Sequence, residues 1–499
     1  MDSSKIKLIF VFVLALFFAL YLGVSAATAQ FEAIAWVLGG VTISVCLLMG
    51  RNIWLLIPFF AAFNLQLRLP GQPSSLLMAQ LLVIGFSFML VLARKVRMHV
   101  QFTELEFWVL MLTILLLQVY ARNPAGLWIM QTDSVGGKAY FLFVISLICC
   151  IYMCFLSVDS NELKKIFPLV VLGSIANLSI GVLGKLFPTI GYYTGSVYSI
   201  VEENNGVAVD KGRATRFAAL STFGLNLSLW VSSFKNPLKA LFHPFWLILI
   251  LISLASALYA GFRSGLVSVL LTYIVGTWYR GGLISIIIGA LLGALAIAVL
   301  AVVNSFAPLP PNVQRVLSFL PGTWEQRYID DGKSSTEWRM EIWEEVLFTD
   351  RWIENKWFGD GLGFSRAQLA YQMSLTNKQA NRIGSSGFDF QRESILASGD
   401  YHSGPVSTIR VVGYVGLVIL ILFQIRLGVH AHRQIMRCRG TEWYPLALLI
   451  GIPIIWSPVF FHFVFGDFRA EIIVLLMGVG MMRILEKTLP LPLYNKGHN

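Results

Sequence analysis

The chain has 499 residues, of which 56% are hydrophobic and only 13% are charged, and its mean hydropathy is +0.70. A soluble fold of this length cannot bury so much apolar surface, so the composition excludes a soluble protein and indicates an integral membrane protein. Cationic inner loops explain the net charge of +11, and no basic stripe with interleaved aromatics indicates a nucleic-acid partner.

Apolar runs recur along the whole chain and predict an all-α polytopic membrane protein with about 12–14 transmembrane helices. No alternating pattern favours a membrane barrel. The first run resembles a signal peptide, but its apolar core is too long and a second span follows at once, so we interpret it as an uncleaved span. The predicted spans are 8–27, 31–49, 53–67, 76–93, 107–120, 139–157, 166–187, 215–233, 245–260, 264–279, 282–305, 408–425, 443–461 and 470–485.

Two polar stretches interrupt this pattern and divide the chain into four predicted regions. Residues 1–188 hold N-terminal transmembrane helices, and residues 189–305 hold transmembrane helices that carry arginine motifs. Residues 306–407 form one large extracytoplasmic loop. Residues 408–499 hold the C-terminal transmembrane helices and a cytoplasmic tail.

Lysine and arginine favour the cytoplasmic side of a membrane. With the N-terminus in the cytoplasm, the inner connections hold about twice as many of these residues as the short outer connections and the adjoining span ends. This topology places the segment 306–407 on the outer side. Of the seven histidines, only His402 and His462 then lie outside. The cysteine positions offer no pair for an outer disulfide and no spacing typical of a zinc site.

Arginines on the outer side oppose the inward bias, so each needs another reason. In the turn ALYAGFRSGLVSVLL, Arg263 lies between two spans and is flanked by glycines. It either snorkels to lipid headgroups or presents a fixed guanidinium to phosphate oxygens. In VDKGRATRFAALSTFGLNL, the cations Lys211, Arg213 and Arg216 enter the eighth span from outside, and their clustering favours an anionic ligand over snorkelling.

The stretch GDYHSGPVSTIRVVGYVGL places His402 in a polar loop just before an apolar segment. An isolated loop histidine is more often a surface residue than a base. The outer position beside a membrane helix favours chemistry here, because imidazole titrates near neutral pH. Arg410 enters the next span and either lines the same cavity or anchors that helix.

The long outer segment contains the stretch TEWRMEIWEEVLFTDRWIENKWFGDGLGF. Trp338, Ile342 and Val346 recur every four residues in it and predict an amphipathic helix whose aromatic stripe packs on the membrane domain. Arg339 is one residue off that stripe, and we interpret it as a solvated charge, with contact to an anionic ligand as the alternative. The glycine-rich run 359–363 lacks the strand context of a dinucleotide site and predicts a tight turn back toward the membrane.

Three motifs follow one another around the long outer loop: YAGFRSGLVSVLL, then RMEIWEEVLF with WFGDGLGF, then YHSGPVSTIRVVGYVGLVIL. In order, spacing and membrane context the chain resembles the O-antigen ligase and O-antigen polymerase superfamily over about residues 205–430. That family often has asparagine after the histidine and a leucine a few residues on, where this chain has Ser403 and Pro405. The departure concerns contacts to the acceptor more than the chemistry.

The resemblance implies a bacterial inner-membrane glycosyltransferase of cell-surface polysaccharide assembly, with its active site facing the periplasm. It would transfer glycan from an undecaprenyl-pyrophosphate carrier to a hydroxyl of a glycan, lipid or protein acceptor. By analogy His402 is the general base, Arg263 the stronger pyrophosphate ligand, and Arg216 and Arg213 the weaker ones. Arg410 and Arg339 are further candidates for substrate binding. Arginines can supply the positive charge, so neither a metal nor a cofactor is expected; membrane lipids and polysaccharide-assembly proteins are the expected partners.

Other functions stay open at this point. A polymerase and a ligase differ in the acceptor, and the same arginines and histidine serve both. A lipid-linked glycan transporter or flippase would also expose arginines to a lipid phosphate, but it should show internal repeats and mid-membrane charges, and neither is evident. A non-catalytic membrane scaffold would bind partners through its outer loop, and loss of His402 would leave its glycan output unchanged.

Overall fold

The structure is a computed structural model that describes residues 40, 42–66, 73–95, 98–99, 101–125, 137–187, 191, 194, 216–363, 396, 399 and 401–489, without the side chains of 331, 334 and 335. The predicted span 8–27, most of 31–49, and the cations Lys211 and Arg213 lie outside the described residues. Throughout the described part of the chain the regular secondary structure is helical, apart from two isolated β-bridges.

Fifteen helices are numbered here in chain order. They are α1 (Leu56–Ala62), α2 (Ser75–Leu92), α3 (Glu104–Arg122), α4 (Lys138–Phe155), α5 (Ser160–Leu163), α6 (Ile166–Leu186), α7 (Ala218–Phe234), α8 (Pro237–Ala240), α9 (Pro244–Tyr259), α10 (Arg263–Phe306), α11 (Pro311–Leu317), α12 (Gln326–Phe348), α13 (Gly404–Cys438), α14 (Tyr444–Phe463) and α15 (Phe468–Thr488). A 3₁₀ turn at Gly50–Leu55 precedes α1.

The chain divides into two compact units. The smaller comprises Met1–Trp54 and Gly85–Val96, and in its described part Cys46 is buried while Leu47 and Leu48 are exposed. The larger comprises Leu55–Ile84 and Arg97–Asn499, and it contains every described residue of the candidate site. Within the larger unit α13 packs on α14 and α3, α15 packs on α4, and α7 packs on α6, α9 and α10.

Eight described helical stretches are long and apolar enough to cross a membrane, which makes the chain an all-α multi-pass membrane protein, as predicted. They are Thr42–Ala62, α2, α3, α4, Ser160–Leu186, α10, α13 and α14. The first of these differs from the prediction, because it is one stretch that takes in the described end of the predicted span 31–49 and most of the predicted span 53–67. The shorter helices α7 and α9, with 17 and 16 residues, and the more charged α15 coincide with three further predicted spans.

Helix α10 reverses direction at Gly282, whose backbone is not helical (φ 70°, ψ −171°). Leu266 near its start and Leu300 near its end pack against the same buried cluster. In a straight helix those residues would lie about 50 Å apart, since each residue advances the helix by 1.5 Å. The element is therefore a hairpin of two antiparallel arms, in agreement with the two predicted spans 264–279 and 282–305.

Contacts between loops fall into two sets that match the two sides of the predicted topology. On the predicted outer side the pairs are Phe217 with Ala260, Asn123 with Asp360, and His402 with Phe465. On the predicted inner side they are Lys164 with Glu442, Tyr279 with His432, and His99 with Phe155. These pairs support the relative sidedness of the loops, and which set faces the cytoplasm stays a prediction.

Helix α13 is interrupted at Gly413 (φ 74°, ψ −176°), and the glycine-rich turn predicted at 359–363 fills the interruption. Backbone groups on both sides of Gly413 bond to the segment 356–361 instead of to each other. The four bonds are Asp360 N to Arg410 O at 2.7 Å, Gly361 N to Val411 O at 3.1 Å, Tyr414 N to Lys356 O at 2.8 Å, and Val415 N to Trp357 O at 3.2 Å. The predicted turn is confirmed, and it satisfies polar groups that a broken membrane helix cannot leave unpaired.

Replacing Gly413 by alanine should lower the free energy of unfolding by about 3 kcal/mol. The positive φ is strained for any residue with a Cβ, and the added methyl would collide with the carbonyl of Trp357. Unfolding by denaturant in detergent micelles measures the effect. Gly428→Ala in the same helix is the control, because a methyl there meets no neighbour within 4 Å. Equal stability of both variants would contradict the proposed break.

Candidate functional site

Arg263 begins α10 and joins it to the outer segment. Its guanidinium donates to the carbonyl oxygen of Arg315 at 3.1 Å, to the hydroxyl of Ser318 at 3.3 Å and to the carbonyl oxygen of Tyr328 at 3.5 Å. Two of these partners lie at the C-terminal end of α11, where carbonyls lack helical partners and a cation is favourable. Arg263 therefore has a structural role in addition to the ligand role predicted for it.

Gly332 of α12 allows the Arg263 guanidinium to lie directly against that helix. A methyl group at Gly332 would lie 3.0 Å from one terminal nitrogen of Arg263 and 3.2 Å from the other. Such distances are tighter than ordinary van der Waals contact, so a larger residue would push the guanidinium away. The close approach fixes where the positive charge lies along α12.

Two further arginines converge on the turn that precedes α10. The guanidinium carbon of Arg216 lies 5.8 Å from the centre of the Phe262 ring, and Arg315 donates to the carbonyl of Gly261 at 3.4 Å. Sequence reasoning did not select Arg315, although it too is an arginine on the disfavoured outer side of the predicted topology. Together with Arg263 these residues concentrate positive charge at one corner, as an anionic ligand requires.

Arg339 was predicted to be a solvated charge, and the structure corrects this. The side chain is half-buried, its Nε is shielded from solvent, and no described residue accepts a hydrogen bond from that nitrogen. Burial lowers the pKa of the guanidinium. At 100° per residue Arg339 lies between Val346 and Trp343, which both pack in the buried cluster formed with the start of α13. Arg339 thus lies on the packed side of α12.

His402 lies between two aromatic rings just before α13. Its imidazole centre is 6.4 Å from the Trp338 ring and 5.3 Å from the Phe465 ring, which is tilted by 30°. Its backbone has φ 51°, in the left-handed region that residues with side chains seldom adopt. A strained backbone at a half-buried histidine is a frequent feature of functional sites.

Helix α12 carries or contacts three predicted site residues, which follow one another in a row along its axis but not on one face, because Trp338 lies about 100° around the helix from Arg339. Arg263 lies at Gly332, His402 lies at Trp338, and Arg339 follows directly. Positions 332 and 339 are seven residues apart, so they share one side of the helix and are separated by about 10 Å along its axis. The predicted packing of α12 on the membrane domain is confirmed, because Ile342 and Val346 lie in one buried cluster with the start of α13.

Arg410 is buried, with 5% of its surface exposed. A methyl group at Gly399 would overlap its guanidinium, and the phenol of Tyr401 lies near its side chain. These contacts favour anchoring over the alternative of lining an open cavity. The second outer histidine, His462, bonds through Nε2 to the Gln424 side chain at 2.8 Å.

No protein-family model matches the sequence, and no curated protein matches it. The helices and their contacts define the class, which is a multi-helix membrane protein with about eight candidate spans. Most of the described candidate site residues lie in the arginine corner at α10 and in the histidine loop before α13, and α12 contacts both.

Proposed function

We propose that the protein is a membrane glycosyltransferase that transfers glycan from an undecaprenyl-pyrophosphate carrier to an acceptor hydroxyl, in the assembly of cell-surface polysaccharide. The observation that carries the proposal is the row along α12, with Arg263 at one end and His402 and Arg339 at the other. A base at one end and cations along the row suit a sugar whose pyrophosphate leaves on the side opposite the attacking hydroxyl. The order of the three sequence motifs, which resembles that of O-antigen ligases and polymerases, supports the same reaction.

In the proposed reaction the acceptor hydroxyl gives its proton to the His402 imidazole as its oxygen bonds to the anomeric carbon of the donor sugar. The bond from that carbon to the pyrophosphate oxygen breaks, and its electron pair stays on the pyrophosphate. Arg263, with Arg216 and Arg315 at the same corner, stabilises the negative charge that develops there. Arg339, one residue along α12 from the Trp338 that contacts the histidine, offers a half-buried guanidinium whose charge interactions are stronger than in water.

This mechanism takes its positive charge from arginine and needs neither a divalent metal nor a cofactor. The acceptor separates two versions of the proposal. A polymerase adds the glycan to a second lipid-linked glycan, whereas a ligase transfers it to a lipid core or a protein. The active site would face the periplasm of a bacterial inner membrane, as the predicted topology requires.

The test is reconstitution of the purified protein in liposomes with lipid-linked glycan as donor. We expect elongated or transferred glycan, release of undecaprenyl pyrophosphate, and the same rate in EDTA as in magnesium. A ladder of chain lengths without added acceptor indicates a polymerase, and product only with lipid core or protein indicates a ligase. Movement of the donor between leaflets without new glycosidic bonds would overturn the enzyme in favour of a flippase. Loss of activity in EDTA would contradict the arginine mechanism.

A further inference from the structure

The left-handed backbone of His402 needs support from its surroundings, because a non-glycine residue at φ 51° is strained. The strain costs about 1–3 kcal/mol, and it persists only where neighbouring contacts fix the chain on both sides. The described neighbours of His402 in the chain are Gly399, Tyr401, Ser403 and Gly404. The contacts of these residues show what holds the imidazole in place.

On the N-terminal side a single side chain touches two neighbours of His402. The guanidinium of Arg410 lies against Gly399, where an added methyl would collide with its Cζ and Nε. The same side chain lies close enough to the phenol of Tyr401 to act on it electrostatically, and that ring is buried with 1% of its surface exposed. Trp343 of α12 donates from Nε1 to the carbonyl of Tyr401 at 3.0 Å. Arg410 thus links the histidine loop to the broken segment of α13.

On the C-terminal side the backbone is held by close packing of glycines. A methyl group at Gly404 would collide with the carbonyl of Phe461, and one at Gly466 would lie 2.7 Å from the Cα of Gly404. These contacts position the residue that follows Ser403 against the connection between α14 and α15. Phe465 of the same connection contacts the His402 ring. The C-terminal side is therefore held by backbone packing and by the connection between α14 and α15, whose Asp467 accepts from the Ser407 hydroxyl at 3.1 Å.

We propose that Arg410 is a positioning residue that holds His402 in its left-handed conformation and aims the imidazole into the row along α12. The expected effect on kcat rests on the proposed function. The expected effect on the position of the imidazole rests on the contacts alone. In this role Arg410 holds Gly399 and Tyr401 in place and does not itself bind the substrate. The charge and length of its side chain matter together, because a guanidinium both covers Gly399 and reaches the Tyr401 hydroxyl.

The test compares Arg410→Gln and Arg410→Lys in the reconstituted transfer assay. We expect Arg410→Gln to lower kcat by about tenfold to a hundredfold with little change in the donor KM, because small displacements of a base have large effects on rate. Lysine keeps the charge and should recover part of the loss. Arg426→Gln in the same helix is the matched control, since that side chain is half exposed and pairs with Glu104.

A second readout does not need activity. We expect diethyl pyrocarbonate to modify His402 at a changed rate in Arg410→Gln, while the exposed His243 in the same molecule reacts at an unchanged rate. Mass spectrometry of the two peptides gives the ratio. An unchanged ratio, or a rise in KM alone, would overturn the positioning role. Absence of transfer in the unmodified protein would overturn the proposed function, and the modification ratio would still decide the role of Arg410.

If Arg410→Gln does not fold, Tyr401→Phe keeps the buried ring and removes only the hydroxyl that meets the guanidinium. We expect Tyr401→Phe to change kcat and the modification ratio in the same direction, but by less. A Tyr401→Phe variant with normal kcat and a normal ratio would count against the proposal.

Discussion

Replacing His402 by asparagine should lower the rate of the proposed glycosyl transfer by about 10²–10⁴-fold, the usual contribution of a general base. Asparagine is the informative substitution because it tolerates the left-handed backbone at φ 51° better than alanine does. The variant should therefore keep its fold while it loses the imidazole. Product formation from lipid-linked glycan in liposomes measures the rate, and thermal unfolding in detergent measures the fold.

The matched control is His243→Asn, because His243 is exposed and makes no side-chain cap bond at the start of α9. It should retain full activity. A His402→Asn variant with undiminished transfer would remove the base assignment and would favour a scaffold. A rise in the acceptor KM with an unchanged kcat would instead indicate that the imidazole positions the acceptor.

Replacing Arg339 by glutamine should lower kcat/KM for the donor by about 10²-fold, as removal of one group that stabilises developing charge typically does. The free energy of unfolding should not fall together with the activity. The guanidinium is half-buried, and no described residue accepts from its Nε, so the free energy of unfolding should stay equal or rise when the charge is removed. Loss of activity without loss of stability distinguishes a cation that binds the substrate from one that stabilises the fold.

Arg327→Gln is the control for that experiment, because Arg327 lies in the same helix and is half exposed beside Glu325 at 2.7 Å. We expect it to change neither kcat/KM nor stability. A destabilised Arg339→Gln variant with a proportional loss of activity would indicate that Arg339 pairs within the protein. The donor concentration dependence should be measured at two salt concentrations, since a buried cation is screened less than an exposed one.

Much of the fold could be predicted from the sequence because hydrophobic length and period are local properties. The spans from α2 onward and the amphipathic helix α12 follow from runs of apolar residues and from the spacing of Trp338, Ile342 and Val346. The reversal within α10 was also predictable, since Arg280 and the glycines after it separate two apolar runs. The predicted topology assigned each loop to one side of the membrane, and the observed contacts join loops that it assigned to the same side.

The candidate site was less predictable because its residues depend on contacts distant in sequence. Arg339 was wrongly interpreted as solvated, since its helical position between Val346 and Trp343 places it on the side of α12 that packs. Arg315 was missed because its place in the arginine corner depends on its hydrogen bond to Gly261, which lies in another loop. The role of Arg410 stayed open between two interpretations until its contact with Gly399 was known. The roles of all these residues in catalysis stay predictions.

The interruption of α13 has a consequence for how the protein is made. Four backbone groups beside Gly413 bond to the segment 356–361, which is part of the large outer segment. In hydrocarbon an unpaired backbone group costs several kcal/mol, so the backbone of this helix is satisfied only once that segment lies against it. The outer segment is therefore not a removable domain. It would lack its partner if expressed alone, and the membrane helices expressed without it would expose the broken helix to lipid.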